Sequence, residues 1–478
     1  MPGEARRAPT GGPLRSKRAP LRTPAGALAG SAGLLGVLIC CVGLAAGAAG
    51  AGNGVFLPGD AGLWPKWLAS PLQALGVRIG AGSFQTLTLA LGASYALVLV
   101  GRRTLPARAV WATICACYGL LALGPPLLSR DVIGYIAYGR LGSVHGLDPY
   151  SHALTGAAGD PLFALVGWPG QHTPYGPLFT LLSYPLALLA PQAALWAFKA
   201  LAAAAALAAV ALLAHAAPAR GQSGRSIAAF VGLNPALLEV TLAGDHNDTL
   251  LLAGDALALA LVFARRARLR GGAGALVGTA ALKLSAAAAL PFLVLAPAPA
   301  GRRLDRRERI ALIGFSLLAL LAGAILALPA FGAHAFGFLG ALGAEQSFVS
   351  PHSLPAELAS ALGLHGTPPW WRALFLAAFA ICAATLLLRT ARGSDWVTCA
   401  GFATIAMCLA SAWFLPWYAS WALPFAALSD SRALRAATLA LCAYALAFHL
   451  PAAAGILATS HAHAVRSLPG FVAIALGR

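Results

Sequence analysis

The chain has 478 residues, 59% of them hydrophobic and 10% charged, against about 25% charged in an ordinary globular domain. Apolar runs of about 18 to 25 residues recur along it, which excludes a soluble domain and predicts an all-α polytopic integral membrane protein. The net charge of +18 does not indicate a nucleic-acid partner. The basic residues sit in short runs between apolar segments, without interleaved aromatics to stack on bases, as in the positive-inside pattern of cytoplasmic loops.

In chain order, the first 24 residues are basic and rich in Pro and Gly. They read as a disordered cytoplasmic tail, with no compelling cleavage site at the end of the first apolar run. Residues 25–478 then form one membrane domain. Segments 25–49, 83–101 and 107–128 run out, in and out, which makes 129–173 a long external loop. Segments 174–191, 193–216 and 226–242 follow, then 248–264, before the Arg265–Arg270 cluster that belongs in the cytoplasm. For that parity to hold, one of the three pieces before 248 must be re-entrant or lie along the surface.

Segment 273–297 poses the same problem, with basic clusters at both ends and Lys283 inside. Two half-helices lining a cavity would satisfy it, because non-helical backbone at that depth needs protein or water around it. Helices 310–330, 370–390, 396–413, 416–428 and 432–450 complete about 11 to 13 spans. They leave a second large external loop, 331–369, and the Trp413–Tyr418 turn. The eight cysteines all lie within apolar segments and show neither a disulfide framework nor metal-ligand spacing.

Only 15 residues are acidic, so the acids that cluster stand out. In Ser129-Arg130-Asp131-Val132-Ile133-Gly134-Tyr135, followed by Tyr138 and Arg140, a helix would put Asp131, Tyr135 and Tyr138 on one face at i, i+4 and i+7. A carboxylate, two phenols and a guanidinium suit a sugar or a phosphate. The plainer reading makes Ser129 an N-cap and Asp131 a first-turn acid facing the helix dipole.

Gly146-Leu147-Asp148-Pro149-Tyr150 reads as a turn. In His172-Thr173-Pro174-Tyr175-Gly176-Pro177 the prolines fix a helix start and leave His172 and Tyr175 facing the external loop. Gly244-Asp245-His246-Asn247-Asp248 packs two carboxylates and an imidazole before a helix. Asn247 or Asp248 could simply cap that helix, but capping explains neither His246 nor Asp255, an intramembrane acid. Lys283 is the most plausible partner for Asp255. A divalent metal on Asp245, His246 and Asp248 is possible, although the spacing is not that of a metal site. These clusters, with Glu345 to His352, all fall on the external side, whereas a transporter gathers polar groups near the midplane.

Taken together and in this order, the four motifs resemble the polyprenol-phosphomannose-dependent α-(1→6)-mannosyltransferases of actinobacterial cell envelopes, over roughly residues 25 to 450. Those are membrane glycosyltransferases of the GT-C fold. The resemblance implies a polyprenyl-phosphate mannose donor, a glycolipid or mannan acceptor, and a plasma-membrane enzyme with a cytoplasmic N-terminus and an external active site. Many GT-C enzymes carry a paired acid in the first large external loop. Here Val132 follows Asp131, so Asp131 stands alone as the candidate base and no metal cofactor is expected.

The polyprenyl phosphate is already a good leaving group, so the reaction needs a base and a cation rather than an acid. Arg140 and Arg130 are the expected phosphate partners. Tyr135, Tyr138, Asp148, Tyr150, His172, Tyr175, His246, Asn247 and Asp248 are the expected substrate contacts. The alternatives are a lipid-linked-sugar flippase, using Lys199, Glu239, Asp255 and Lys283 as a path, and an enzyme for another polyprenyl-phosphate sugar such as arabinose.

Overall fold

Apolar segments can satisfy their backbone in a bilayer core as helices, and among the described residues there is no strand. The structure, a computed structural model, describes residues 24–50, 70–157, 159–264, 268–296, 305–345 and 347–447. The expected tail up to Pro24, the first part of the Arg265–Arg270 cluster and the end of the 432–450 segment lie outside them.

The helices are α1 (Pro24–Ala49), α2 (Ala81–Gly101), α3 (Ala107–Leu123), α4 (Asp131–Ser143), α5 (Pro177–Ala187), α6 (Pro191–Ala216), α7 (Gly224–Gly232) and α8 (Asp248–Val262). They continue as α9 (Leu269–Leu282), α10 (Leu290–Leu295), α11 (Arg306–Phe331), α12 (Phe338–Glu345), α13 (Leu354–Ala361), α14 (Pro369–Ala391), α15 (Trp396–Ala410), α16 (Leu423–Leu428) and α17 (Arg432–Ala447). Five of them, α1, α2, α6, α11 and α14, are long and apolar enough to cross a membrane.

Their surfaces carry the same message. Leu318 and Leu326 of α11 are 65% and 73% exposed and Ile381 of α14 is 68% exposed, which is tolerable only against lipid. By contrast α8 is buried among α6, α9 and the segments around it. A Cβ on Gly101 would come within 2.4 Å of the Gly30 Cα, so α1 and α2 meet backbone to backbone, as small residues permit in membranes. Helix α11 starts on a capping box, with the Glu308 N–H on Asp305 Oδ1 at 2.7 Å and the Asp305 N–H on Glu308 Oε2 at 2.9 Å.

The segments whose parity was troublesome are interrupted. Segment 226–242 stops at Gly232 and restarts as a fully buried π-helical run, Ala236–Leu242. Asn234 caps the restart by accepting from the N–H groups of Ala236 and Leu237 at 3.0 and 3.4 Å. Helix α5 has 11 residues and rises about 16 Å, roughly half of a bilayer core. Segment 273–297 breaks at Lys283, whose extended backbone (φ −150°, ψ 119°) separates α9 from a 3₁₀ run, Leu284–Ala289. The two stretches read as large external loops are themselves partly helical: 129–173 begins with α4, and 331–369 holds α12 and α13.

Candidate functional site

Two sequence motifs meet where α3 ends. The chain leaves α3 at Leu123, and the Leu127 N–H donates to the Ala243 carbonyl at 2.9 Å, which ties the approach to α4 against the approach to α8. Leu128 and Asp245 both take left-handed backbone angles (φ 60° and 57°), strained for a branched leucine and tolerated by aspartate. Held this way, Asp131 opens α4 with its N–H on Ser129 Oγ at 3.1 Å. Its carboxylate stays 25% exposed, and His246 Nδ1 lies 3.2 Å from Asp131 Oδ2. The imidazole is buried and stacked on Trp417, with ring centres 3.5 Å apart and planes 19° from parallel. Asp131 is thus both the first-turn acid and an accessible carboxylate.

That carboxylate lines a cavity of about 530 Å³, walled also by Arg130, Tyr138, His172, Tyr175, Lys283 and Glu345. Small-ligand sites run to roughly 300–1,000 Å³. Lys283 enters from the break after α9. Its Nζ donates to both oxygens of Asp248 at 2.9 Å and lies 4.9 Å and 5.3 Å from the ring centres of Tyr418 and Trp421. The Trp421 indole N–H also donates to Asp248. The break is held by the proline-flanked Gly176, whose N–H donates to the Leu282 carbonyl at 3.1 Å. A Cβ there would meet the Ala281 carbonyl oxygen at 2.2 Å, so only glycine lets the two segments touch.

Aromatic rings form the remaining wall. Trp168 stacks on Phe348 at 5.5 Å, and Trp413 sits edge-on to Trp168 at 5.7 Å. All three line the cavity. Burial pushes the Glu345 carboxyl up to about 7, with Lys283 pulling it down and Asp131 pushing it up. Both charges therefore act on Glu345.

The structure brings some of the expected contacts into this cavity and places others outside it. Arg130, Tyr138, His172 and Tyr175 line it beside Asp131. The Tyr138 hydroxyl donates to the Gln171 carbonyl at 2.9 Å, which fixes the loop carrying His172. Tyr135 is buried behind the wall, accepting the Asn247 N–H at 3.2 Å and packing edge-on against Tyr175. Asn247 makes no side-chain cap bond, and Asp248 is occupied by Lys283, so capping does not account for either. His246 and Asp248 do not line the cavity as expected; they contact Asp131 and Lys283, which do.

Arg140 does not reach the cavity. Its Nε donates to Asp160 Oδ2 at 2.8 Å, which also takes His145 Nε2 at 2.9 Å. Burial raises the Asp160 carboxyl, but these hydrogen bonds outweigh it and hold it below the usual range. Asp148 and Tyr150 lie on another cluster. Asp148 meets His334 Nδ1 at 2.7 Å, and Tyr150 donates to the Tyr175 carbonyl at 2.9 Å while packing on Phe331 at 4.9 Å. The expected Asp255–Lys283 pair does not form, because the break turns Lys283 to Asp248. Asp255 instead borders a minor pocket with Ser285 and Thr404. Among the described residues no three His, Cys, Asp or Glu side chains converge as a metal-ligand set.

Sequence reasoning placed Lys283 in a broken, cavity-lining segment but paired it with Asp255, and it did not single out Trp168 and Trp421. The signal available for Lys283 was a lysine inside an apolar segment, which marks a functional position by default.

Apolar spanning helices around a polar, aromatic-walled cavity built from helix ends define an all-α polytopic membrane protein. The chain belongs to the α-(1→6)-mannopyranosyltransferase family. The family model described as "Alpha-(1->6)-mannopyranosyltransferase, N-terminal domain" matches residues 29–299, and the MptB C-terminal domain matches 356–476. Asp131, His246 and Lys283 all fall in the first match. A curated relative, alpha-(1->6)-mannopyranosyltransferase A of Corynebacterium glutamicum, is 27% identical over 187 residues. The matched stretch spans 38% of this chain and 37% of that relative. No solved structure matches.

Proposed function

We propose that the protein is an inverting glycosyltransferase. It moves a mannosyl residue from a polyprenyl-phosphate donor to an α-(1→6)-mannan-type glycolipid acceptor at the external face of the plasma membrane. The observation that carries this reading is Asp131, an accessible carboxylate on the cavity wall with the stacked His246 imidazole 3.2 Å away. An acceptor hydroxyl that enters the cavity loses its proton to Asp131 while its oxygen attacks the mannosyl C1. The C1–O bond to phosphate breaks, and its electrons leave on the polyprenyl phosphate. A single displacement converts a β-linked donor into an α-linked product. The aromatic wall suits the apolar faces of sugar rings, and the surrounding helices suit the lipid tail.

Three of the four residues that a flippase would use, Lys199, Glu239 and Asp255, lie buried away from the cavity that Lys283 lines, which favours the transferase. Glu239 is held by Thr88 at 2.8 Å, Lys199 is 2% exposed, and the pocket beside Asp255 measures about 10 Å³. The test is purified protein given radiolabelled polyprenyl-phosphate mannose and an α-(1→6)-mannan acceptor. Label in α-linkage on the acceptor, with an equal amount of polyprenyl monophosphate released, is the expected result. Protein that translocates the lipid-linked sugar yet never consumes it would overturn the reading, and transfer of arabinose alone would change the sugar.

A further inference from the structure

We propose that Lys283, assisted by the Ser285 hydroxyl, is the phosphate-binding site of the lipid-linked donor. This rests on the transferase reading and supplies the cation that reading requires. Of the two arginines expected to meet the phosphate, Arg140 is held by Asp160 outside the cavity, while Arg130 lines the cavity beside Asp131. Lys283 lines the same cavity as Asp131, and its side chain is 17% exposed.

An ammonium has three N–H donors, and the two Asp248 oxygens take two of them. The third is left for the cavity. Asp248 is anchored separately by the Trp421 indole, and the rings of Tyr418 and Trp421 flank the ammonium. The charge is therefore held in one place before any ligand arrives, the preorganisation that makes a charge effective in transition-state stabilisation.

Ser285 gives the second, independent observation. Its Oγ is buried and has no hydrogen-bond partner among the described residues, and Ser285 lines the same cavity two residues beyond Lys283. A buried hydroxyl left unpaired costs free energy, and a phosphate oxygen would satisfy it. Lys283 and Ser285 straddle the break after α9, so the interruption itself presents an ammonium and a hydroxyl together.

The chemistry fits this placement. The bound donor is a phosphodiester with one negative charge. When the acceptor oxygen bonds to C1, the C1–O bond to phosphate breaks and its electron pair stays on the phosphate oxygen. The acceptor proton goes to Asp131, and the released monoester carries a second negative charge. Lys283 offsets that charge as it develops, and Ser285 donates to the same group.

The experiment measures binding of polyprenyl monophosphate, the leaving group, to purified full-length protein in detergent, alongside donor and acceptor kinetics. Lys283→Met should weaken that binding by about 10- to 100-fold, the equivalent of one charge-assisted hydrogen bond. Donor KM should rise and kcat fall while acceptor KM stays unchanged. Lys283→Arg should recover most of the binding, and Ser285→Ala should lose a few-fold, about what a neutral hydrogen bond is worth.

Because Lys283→Met strands the buried Asp248 carboxylate, the double variant Lys283→Met with Asp248→Asn is measured as well. It removes both charges together and should show the same loss of binding. If the double variant and Ser285→Ala both bind polyprenyl monophosphate as wild type does, the assignment to Lys283 fails and the transferase reading stands. If wild-type protein binds no polyprenyl monophosphate, the donor reading and this site fail together.

Discussion

His246 Nδ1 stands 3.2 Å from Asp131 Oδ2, joining two motifs from opposite sides of α5 to α7. The stack on Trp417 fixes the imidazole plane, and the left-handed turn at Asp245 leads into it. The left-handed angle at Leu128 is the strained one, and such strain persists only where its surroundings enforce it. Asp131 thereby reaches the cavity wall with the buried His246 ring behind it.

The Asp131→Asn variant tests the base. Asparagine keeps the shape and the first-turn position but cannot take a proton, so kcat should fall by ~10²–10⁴-fold. Protein yield and thermal stability should stay near wild type. Unchanged turnover in folded Asp131→Asn would remove Asp131 from the mechanism.

Replacing His246 separates positioning from proton transfer. His246→Ala leaves Asp131 ionisable but removes its neighbour and the face that Trp417 stacks on. A misplacement of about 1 Å can cost as much as 10²-fold in rate, so kcat should drop by roughly tenfold or more with donor binding little changed. Parallel measurements of kcat and polyprenyl monophosphate affinity check this, and a fall in affinity alone would assign His246 to the donor instead.

Much of this site was legible because acids are scarce and clustered locally. Asp131, His246 and Asp248 stand out in a chain with so few carboxylates, and the break around Lys283 follows from charge parity. Partners are harder to read. Asp248 and Asp255 are two turns apart on one helical face, so spacing could not choose between them for Lys283; the direction of the break decided it. Arg140 was read as a phosphate ligand because Asp160 lies in an irregular loop with no periodicity linking the two. Asp148 and Tyr150 meet His334 and Phe331 across a long separation that no local pattern reveals. Trp168 and Trp421 were hidden by the ordinary role of tryptophan at membrane interfaces.

Glu345 predicts a pH dependence. Burial raises its carboxyl from an ordinary value of 4.5 to about 7, so it gains a negative charge as pH rises through neutrality. That charge works against an anionic donor, so donor KM should rise above about pH 7, and Glu345→Gln should abolish the rise. The stability term has the same sign. The folded state holds the proton more tightly, so the contribution is complete below pH 4.5 and is lost as pH rises through about 7. Donor KM and melting temperature across this range provide the check, and a Glu345→Gln profile identical to wild type would remove the residue from both effects.

Topology can be tested with single cysteines in a background where Cys115, the exposed native cysteine, is replaced. Gly156 and Gly343 are exposed, and a Cβ at Gly343 meets nothing within 4 Å. Cysteines at these two positions should react with an impermeant thiol reagent on intact cells. A cysteine at Gly271, where α9 begins, should react only after permeabilisation. Labelling of Gly271 from outside would invert the orientation and remove the external cavity.

Gly176 tests how the break is held. A Cβ there meets the Ala281 carbonyl oxygen at 2.2 Å and the Leu282 carbonyl carbon at 3.2 Å, and backbone cannot rotate aside as a flexible side chain would. Gly176→Ala must therefore push the α5 entry away from the end of α9, stretching the Gly176–Leu282 hydrogen bond. Overpacking of this kind costs about 1–3 kcal/mol, which should appear as a lower melting temperature. The displaced segment carries Lys283, so donor affinity should fall with it. Gly170→Ala is the control, because a Cβ there meets nothing within 4 Å and both quantities should stay at wild type. A Gly176→Ala variant that melts and binds like Gly170→Ala would show that this contact does not set the position of Lys283.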